Sequence, residues 1–526
     1  MKNLLYMLIV TLVFTSCDEY LDVKPVGKLI PSKIEELDRL LNNSSVYAWD
    51  YMDNNNGCSI AMLGDNYEYS ENVFASELEV SNPNVDRLMA YKFNRPYNNP
   101  INPDYFWDWG IYKAAYYYNN VIEGVEEFLS QNEGYGKEVI AQAKAGRALN
   151  YLNACMVYGP AYNPGSANDT RTIPFRTTAD ATAVNPDLST TQEVFDLVEA
   201  DLLSALEDVP SFSTSVRHNQ VTVKATLAYF YMFKGDFTKM LNYAEGAWAD
   251  ALSSKGGEDA MIYDYNKFVY IDNGMTAPPG VDSETVLDLQ YDGGSDLDFN
   301  RSNSKEVLLY RKTPSRPSRS YASQEYQALF SDNDMRKKLF MLWTKGYADE
   351  FGGDDGIVKQ YYRASKIGEG LTTGFSYPEL LLMRAEAYAR NGQDANALTD
   401  LNKLREYRYE TGTPALTSLS GDALLHEILN ERRRELPNPS YKRFLDLKRF
   451  DAYDSGKPWT KTTMTHHLMT YTAVPVGETP LVPVESGTVF TAPINSEYYM
   501  LPISNSVLRL NPQWDIPLAP EDYNPS

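Results

Sequence analysis

One helical signature recurs along the chain and limits what it can fold into. The pattern Ala-x-x-Tyr occurs at Ala115/Tyr118, Ala148/Tyr151, Ala228/Tyr231 and Ala385/Tyr388. In the last two cases a glycine follows four residues after the tyrosine, at Gly235 and Gly392. A second amphipathic stretch then begins, carrying Met240, Ala244 and Ala247 in one case and Ala397, Leu401 and Leu404 in the other. A small residue lets two helix backbones approach, where a large side chain would hold them apart. An aromatic ring one turn on fills the space beside the contact, and glycine reverses the chain. Such a chain stacks α-hairpins.

These offsets match the tetratricopeptide (TPR) pattern. They predict a mainly α fold of TPR-like helix-turn-helix repeats with long loops and a few short strands. The clearest stripe runs through Ala141, Ala145, Ala148, Leu152 and Cys155, stepping by four and three, and Gly159-Pro160 ends it. Helical periodicity also covers 105–128, a capped stretch at 191–207, the pairs 221–234 with 236–251 and 378–390 with 394–409, and 423–435. Ser32 with Glu35 reads as a capping box in front of Ile34, Leu37, Leu40 and Leu41. The helical pairs thus fall roughly at 105–252 and 377–450. A mid-chain insert at 253–376 separates them, with short alternating stretches at 285–289 and 306–310. Residues 42–104 read as loop, and 451–526 as an irregular C-terminal segment.

At the N-terminus, Lys2 precedes an apolar run from Leu4 to Phe14, the length of a signal-peptide core and too short to span a bilayer. Thr15 and Ser16 lead directly into Cys17, which looks like a bacterial lipobox with Phe14 in place of the usual Leu. The expectation is a lipoprotein signal peptide at 1–16, acylation of the Cys17 thiol, and a tether at 17–32. A plain signal peptide with an incidental cysteine is the alternative. No later stretch is apolar enough to cross a membrane, so the mature chain is expected to be anchored. Cys58 and Cys155 could pair in a secreted protein, but sequence does not fix the distance between them.

Charge and motifs exclude several chemistries. Asp and Glu number 71 against 48 Lys and Arg, a net charge of -23. Such a surface repels phosphate backbones, so no nucleic-acid partner is expected. Of four histidines, none belongs to a His-x-x-x-His or Cys-x-x-Cys set, and all read as surface residues. Serine-nucleophile and phosphate-cradling motifs are absent. A glycosidase would need two carboxylates at a defined separation, and no motif marks such a pair. The loop Asp292 to Asp298 carries oxygen ligands suited to calcium but lacks EF-hand spacing. No cofactor is expected, a structural calcium ion being the one allowance. The basic segment from Arg432 to Arg449 is interleaved with Glu431, Glu435, Asp446 and apolar residues, and reads as a structural network.

Several segments, in order, resemble the SusD/RagB family of outer-membrane nutrient-binding lipoproteins. They are Cys17-Asp18-Glu19-Tyr20-Leu21-Asp22-Val23 with Pro25; Tyr105-Phe106-Trp107 through Ile111-Tyr112 to Asn119-Asn120-Val121-Ile122; Ala145-Gly146-Arg147-Ala148 through Tyr151 to Tyr158-Gly159; Tyr377 to Ala387; Glu431 to Leu436 followed by Phe444 to Phe450; and Leu501-Pro502-Ile503 with Asn511-Pro512. One stretch departs: Pro437-Asn438-Pro439-Ser440-Tyr441-Lys442-Arg443 stands where the family usually shows a Phe-Glu-Gly-His-Arg-like run. The resemblance implies a single large SusD-like domain at 33–526. It implies a protein that is not an enzyme, lipid-anchored to the outer membrane of a Bacteroidetes-type cell and facing the exterior, where the acidic start after Cys17 resembles a surface-export signal. Such a protein binds a glycan and delivers it to a partner SusC-like TonB-dependent transporter. Alternatives are a RagB-like peptide binder on the same scaffold, a TPR protein-interaction scaffold and a glycoside hydrolase.

Sugar capture makes a distinct physical demand. A pyranose has an apolar C–H face that stacks on exposed aromatic planes, and a rim of hydroxyls that bond to Asp, Asn, Gln and Arg. Tyrosine is abundant, 40 against 20 Phe and 7 Trp, which suggests rings held at wet surfaces. The segments combining aromatics with such polar groups are 65–69, 102–109, 290–292 and 319–324, with Trp343 and the Tyr361-Tyr362 pair. In the resembled family, binding residues come from loops in these regions. The glycan-binding candidates are Tyr67, Tyr69, Trp107, Trp109, Tyr291, Asp292, Tyr321 and Trp343.

Overall fold

Polar residues set where the helices of this computed structural model start, and glycines where several stop. The structure describes residues 31–48, 60–79, 85–97, 99–104, 106–272, 287–291, 302–313, 321–345, 357–361, 371–372, 374–436, 441–471 and 484–521. Cys17, Cys58, Asp292 and the rest of the acidic loop lie outside them. Helix α1 (Ile34–Leu40) does not form the expected Ser32–Glu35 box. Lys33 takes the extended cap position, so the Ser32 N–H reaches Glu36 at 2.8 Å. A π-helical stretch, Phe106–Ala114, leads into α2 (Ala115–Phe128), where a single helix was expected. Asn132 caps α3 (Glu133–Tyr158), and Thr190 with Glu193 forms a reciprocal capping box at α4 (Thr191–Asp208). Asn219 and Asp236 cap α5 (Gln220–Lys234) and α6 (Phe237–Lys255). Ser376 caps α7 (Tyr377–Arg390), which is followed by α8 (Asp394–Arg408), α9 (Gly421–Glu435) and α10 (Lys442–Tyr453).

The repeat signature lies at the helix contacts. Helices α2 and α3, α3 and α4, α5 and α6, and α7 and α8 pack as neighbours, and α6 lies against α7. Ala115, Ala148, Ala228 and Ala385 are all buried, as are Tyr118, Tyr151 and Tyr231. Gly235 and Gly392 turn the chain at φ 74° and 70°, a conformation that glycine adopts without steric cost. At a glycine between helices the closest approach falls at Gly146 of α3: a Cβ there would meet Tyr118 Cε1 of α2 at 2.3 Å.

Two regions read as irregular contain strands. Strands β1 (Tyr67–Ser70), β2 (Tyr321–Ala322), β3 (Thr463–Thr470) and β4 (Val484–Pro493) form one sheet in the order β4-β3-β1-β2. β1 runs parallel to β3, pairing Tyr69 with Leu468, and antiparallel to β2, pairing Glu68 with Tyr321. Helices Glu71–Glu79 and Val85–Tyr91 also lie within the stretch read as loop. In β3 the alternation is regular at its start: Met464 and His466 are buried, and Thr463 and Thr465 are exposed. Shorter pairs, Phe268–Asp272 with Leu287–Tyr291 and Met341–Lys345 with Ile357–Tyr361, occupy the mid-chain insert.

The basic segment is a buried ion network. Arg432 binds Asp446 at 2.9 Å and Glu379 at 3.2 Å, and Arg449 binds Glu386 and Asp446. Arg408, with none of its side chain exposed, binds Glu306 at 2.7 Å and Glu435 at 2.8 Å. Arg336 joins Asp334, Glu431 and Glu435. These pairs tie α7, α8, α9 and α10 to the insert. Lys448 of α10 donates to the carbonyls of Met156, Gly159 and Tyr499, fastening the end of α3 to the C-terminal segment.

Candidate functional site

Parallel pairing of β1 with β3 brings together residues about four hundred positions apart. The sheet positions Asp65, Tyr67 and Glu68 beside Ser323, Gln324 and Glu325 from the chain after β2. Thr460 to Thr463, Thr465, His466, His467 and Met469 come from β3 and its approach, and Glu485 from β4. With Tyr91 these residues line a cavity of about 570 Å³. Two of the segments singled out for pairing aromatics with polar groups, 65–69 and 319–324, thus meet here.

Its charged groups are held in three ways. Asp65 receives Arg443 through two nitrogens at 2.7 Å, Lys461 at 2.8 Å and Arg433 at 3.1 Å. Burial opposes its ionisation, but these three cations outweigh burial and hold the carboxyl well below its usual range. Glu68, 5% exposed, accepts from the Tyr471 hydroxyl at 2.5 Å and the Gln324 N–H at 3.1 Å. Burial pushes its carboxyl up to about 7 despite those bonds, and the charge of Glu485 adds to the effect. Glu485 faces His467 Nδ1 at 3.2 Å.

His466 forms part of the wall. Its ring stacks on Tyr91 at 4.3 Å, with Nδ1 2.9 Å from the Tyr91 carbonyl and Nε2 2.7 Å from the Gly64 carbonyl. Burial pulls the imidazole down to about 4, against the pull of the two carbonyls. The expectation of surface histidines fails here and at His218, which is buried beside Arg311 at 3.1 Å.

Four candidate aromatics are packing residues. Tyr69 lies edge-on against Tyr91 at 4.9 Å, and Tyr321 against Tyr471 at 5.1 Å. Trp107 is enclosed by Tyr112, Tyr158 and Trp514. None of these three has more than 1% of its surface open, which leaves no face on which a sugar could stack. Tyr67 lines the cavity but is itself buried. Both faces of β1 are covered, so the alternation of Tyr67 and Tyr69 does not bring either ring to water. Trp109 is 39% exposed, and Lys113 sits over its ring at 3.5 Å. Tyr291 is half-buried against Tyr263 and Phe268, with Lys305 over its ring at 4.9 Å. Trp343 lies on its hairpin strand opposite Lys359. Trp109 and Tyr291 do not line the cavity.

The residues that sequence reasoning missed are Thr460 to His467 and Glu485. The period-two run Thr463-Met464-Thr465-His466 was the signal that could have found them. Among the described residues no group of His, Cys, Asp and Glu gathers as a metal site, and no helix is long and apolar enough to cross a membrane. Cys155 is a free, buried thiol, which burial pushes up to about 11.

Residues 19–232 match a family model described as "Starch-binding associating with outer membrane", and residues 290–515 match the model of the SusD family. The SusD-like protein P38 of Formosa agariphila is 22% identical over 497 residues, covering 85% of this chain and 91% of the relative. A SusD-like carbohydrate binding protein from Bacteroides vulgatus shares the fold with a TM-score of 0.59 at 18% identity, covering 91% of this chain and 97% of that one. A SusD superfamily protein from Bacteroides fragilis does so with a TM-score of 0.59 at 19% identity, covering 93% and 100%. The chain belongs to the SusD/RagB family.

Proposed function

We propose that this protein captures an oligosaccharide or polysaccharide at the cell surface and delivers it to a SusC-like TonB-dependent transporter. It does so as a binder that performs no covalent chemistry. The lipobox supports anchoring through Cys17 to the outer membrane, on its exterior side. The family match and the names of its relatives support a glycan ligand.

The observation that carries this reading is the cavity on the four-stranded sheet. Its size suits a small-molecule site. Threonine hydroxyls, Gln324 and carboxylates dominate its lining, groups that exchange hydrogen bonds with sugar hydroxyls. The site is built on strands, which hold such groups in fixed register.

Isothermal titration against a panel of plant, host and microbial polysaccharides tests the proposal. Binding of at least one glycan is expected. Thr465→Ala and Glu485→Ala alter exposed residues of the lining and should weaken it by about tenfold. Trp109→Ala should leave it unchanged. Loss with Trp109→Ala alone would place the ligand on the helix instead. One observation favours a hydrolase as the second reading: Glu68 has a raised carboxyl in a cavity, the condition of a general acid. Product analysis on the same panel decides between them, with no cleavage expected.

A further inference from the structure

We propose that the cavity admits uncharged saccharide units and turns away uronate and sulfate groups, with Glu68 and Glu485 imposing the choice. This rests on the capture reading above and specifies its ligand.

Recognition of an acidic sugar needs a cation that can turn to it, best a guanidinium meeting two oxygens at once. Among the described residues, the cations at this site are already engaged. Lys461 lies 2.8 Å from Asp65 and 2.8 Å from Glu325. Arg443 gives two nitrogens to Asp65. Arg433 spreads its nitrogens over Asn66, Glu325 and the Asp65 carbonyl. Drawing any of them to a ligand would strip a partner from a carboxylate, and Asp65 is buried.

The remaining carboxylates have no such partner among the described residues. Glu68 is bonded by a phenol and a backbone amide. Glu485 is 59% exposed on its side chain and faces only the imidazole of His467. Burial raises the Glu68 carboxyl, and the charge of Glu485 raises it further. A negative group entering the cavity would meet repulsion from Glu485 as Glu68 does. A neutral sugar reverses the sign, because its hydroxyls donate to the same oxygens in charge-assisted bonds. The net charge of -23 extends the bias outward to the approach of the ligand.

The test titrates the full chain with two length-matched series. One is neutral (gluco-, xylo- and manno-oligosaccharides) and the other acidic (oligogalacturonates and chondroitin sulfate fragments). The expected result is binding within the neutral series and affinity weaker by about tenfold or more across the acidic one. Glu485→Lys should close that gap by about tenfold, and Glu485→Gln by a smaller factor in the same direction, which covers the case in which the lysine variant folds poorly. Acidic ligands binding as tightly as neutral ones, or a neutral-to-acidic ratio that neither variant moves, would overturn the inference and leave glycan capture standing. Binding of neither series would overturn capture itself, and this inference with it.

Discussion

Single side chains in this protein have their consequences through burial. Arg408 has no side-chain surface in water and holds Glu306 and Glu435. Replacing it with methionine keeps the bulk but strips the guanidinium from two buried carboxylates. Arg408→Met should therefore lower unfolding free energy by about 3–5 kcal/mol, read by urea denaturation. Glu68 gives the opposite lesson. Its folded carboxyl titrates near 7, above the ordinary 4.5, so the folded state prefers the protonated form. The associated stability is fully present below pH 4.5 and is lost as pH rises through 7. Between pH 4.5 and 8 the stability difference between wild type and Glu68→Gln should move in favour of the variant by roughly 2–3 kcal/mol. A difference that stays flat across that range would show that Glu68 ionises normally. Neither residue could be assigned such a role from its neighbours in sequence, because the groups that set its charge come from distant segments.

At the scale of elements, the helices of the repeat pairs were legible, while the sheet and the helices Glu71–Glu79 and Val85–Tyr91 were not. A helix is specified within its own window, by a cap, a stripe and a stop. Thr190 with Glu193, the stripe through Ala141 and Leu152, and the turn at Gly235 each act over a few residues. The sheet depends on β1 finding β3 across the chain, and a four-residue strand leaves little periodicity to read. The same contrast explains the aromatics. Tyr67 and Tyr69 alternate as a half-exposed strand would, but a central strand is covered on both faces. Helix packing itself is testable at glycines. Gly146→Ala drives a Cβ into the Tyr118 ring and should cost about 1–3 kcal/mol in chemical denaturation. Gly134→Ala, in the first turn of the same helix with no atom nearby, should leave stability unchanged or raise it by up to about 1 kcal/mol. Equal effects at the two sites would mean that the close α2–α3 contact is absent.

For the whole molecule, the proposed anchor at Cys17 would decide how the site is presented. Cys17→Ala should release the protein from the membrane fraction, as followed by fractionation and immunoblotting. Unchanged partitioning would contradict lipidation. The sequence by itself determined the stacked α-hairpins, the structural use of the basic segment and the absence of familiar catalytic motifs, because each is written in local spacing or composition. Only the tertiary structure decided which rings are enclosed and which carboxylates are paired. It also decided that threonines near the C-terminus share a cavity with Asp65 and Glu68. Burial and electrostatic partnership are sums over neighbours, and in this fold those neighbours are supplied by chain segments hundreds of residues apart.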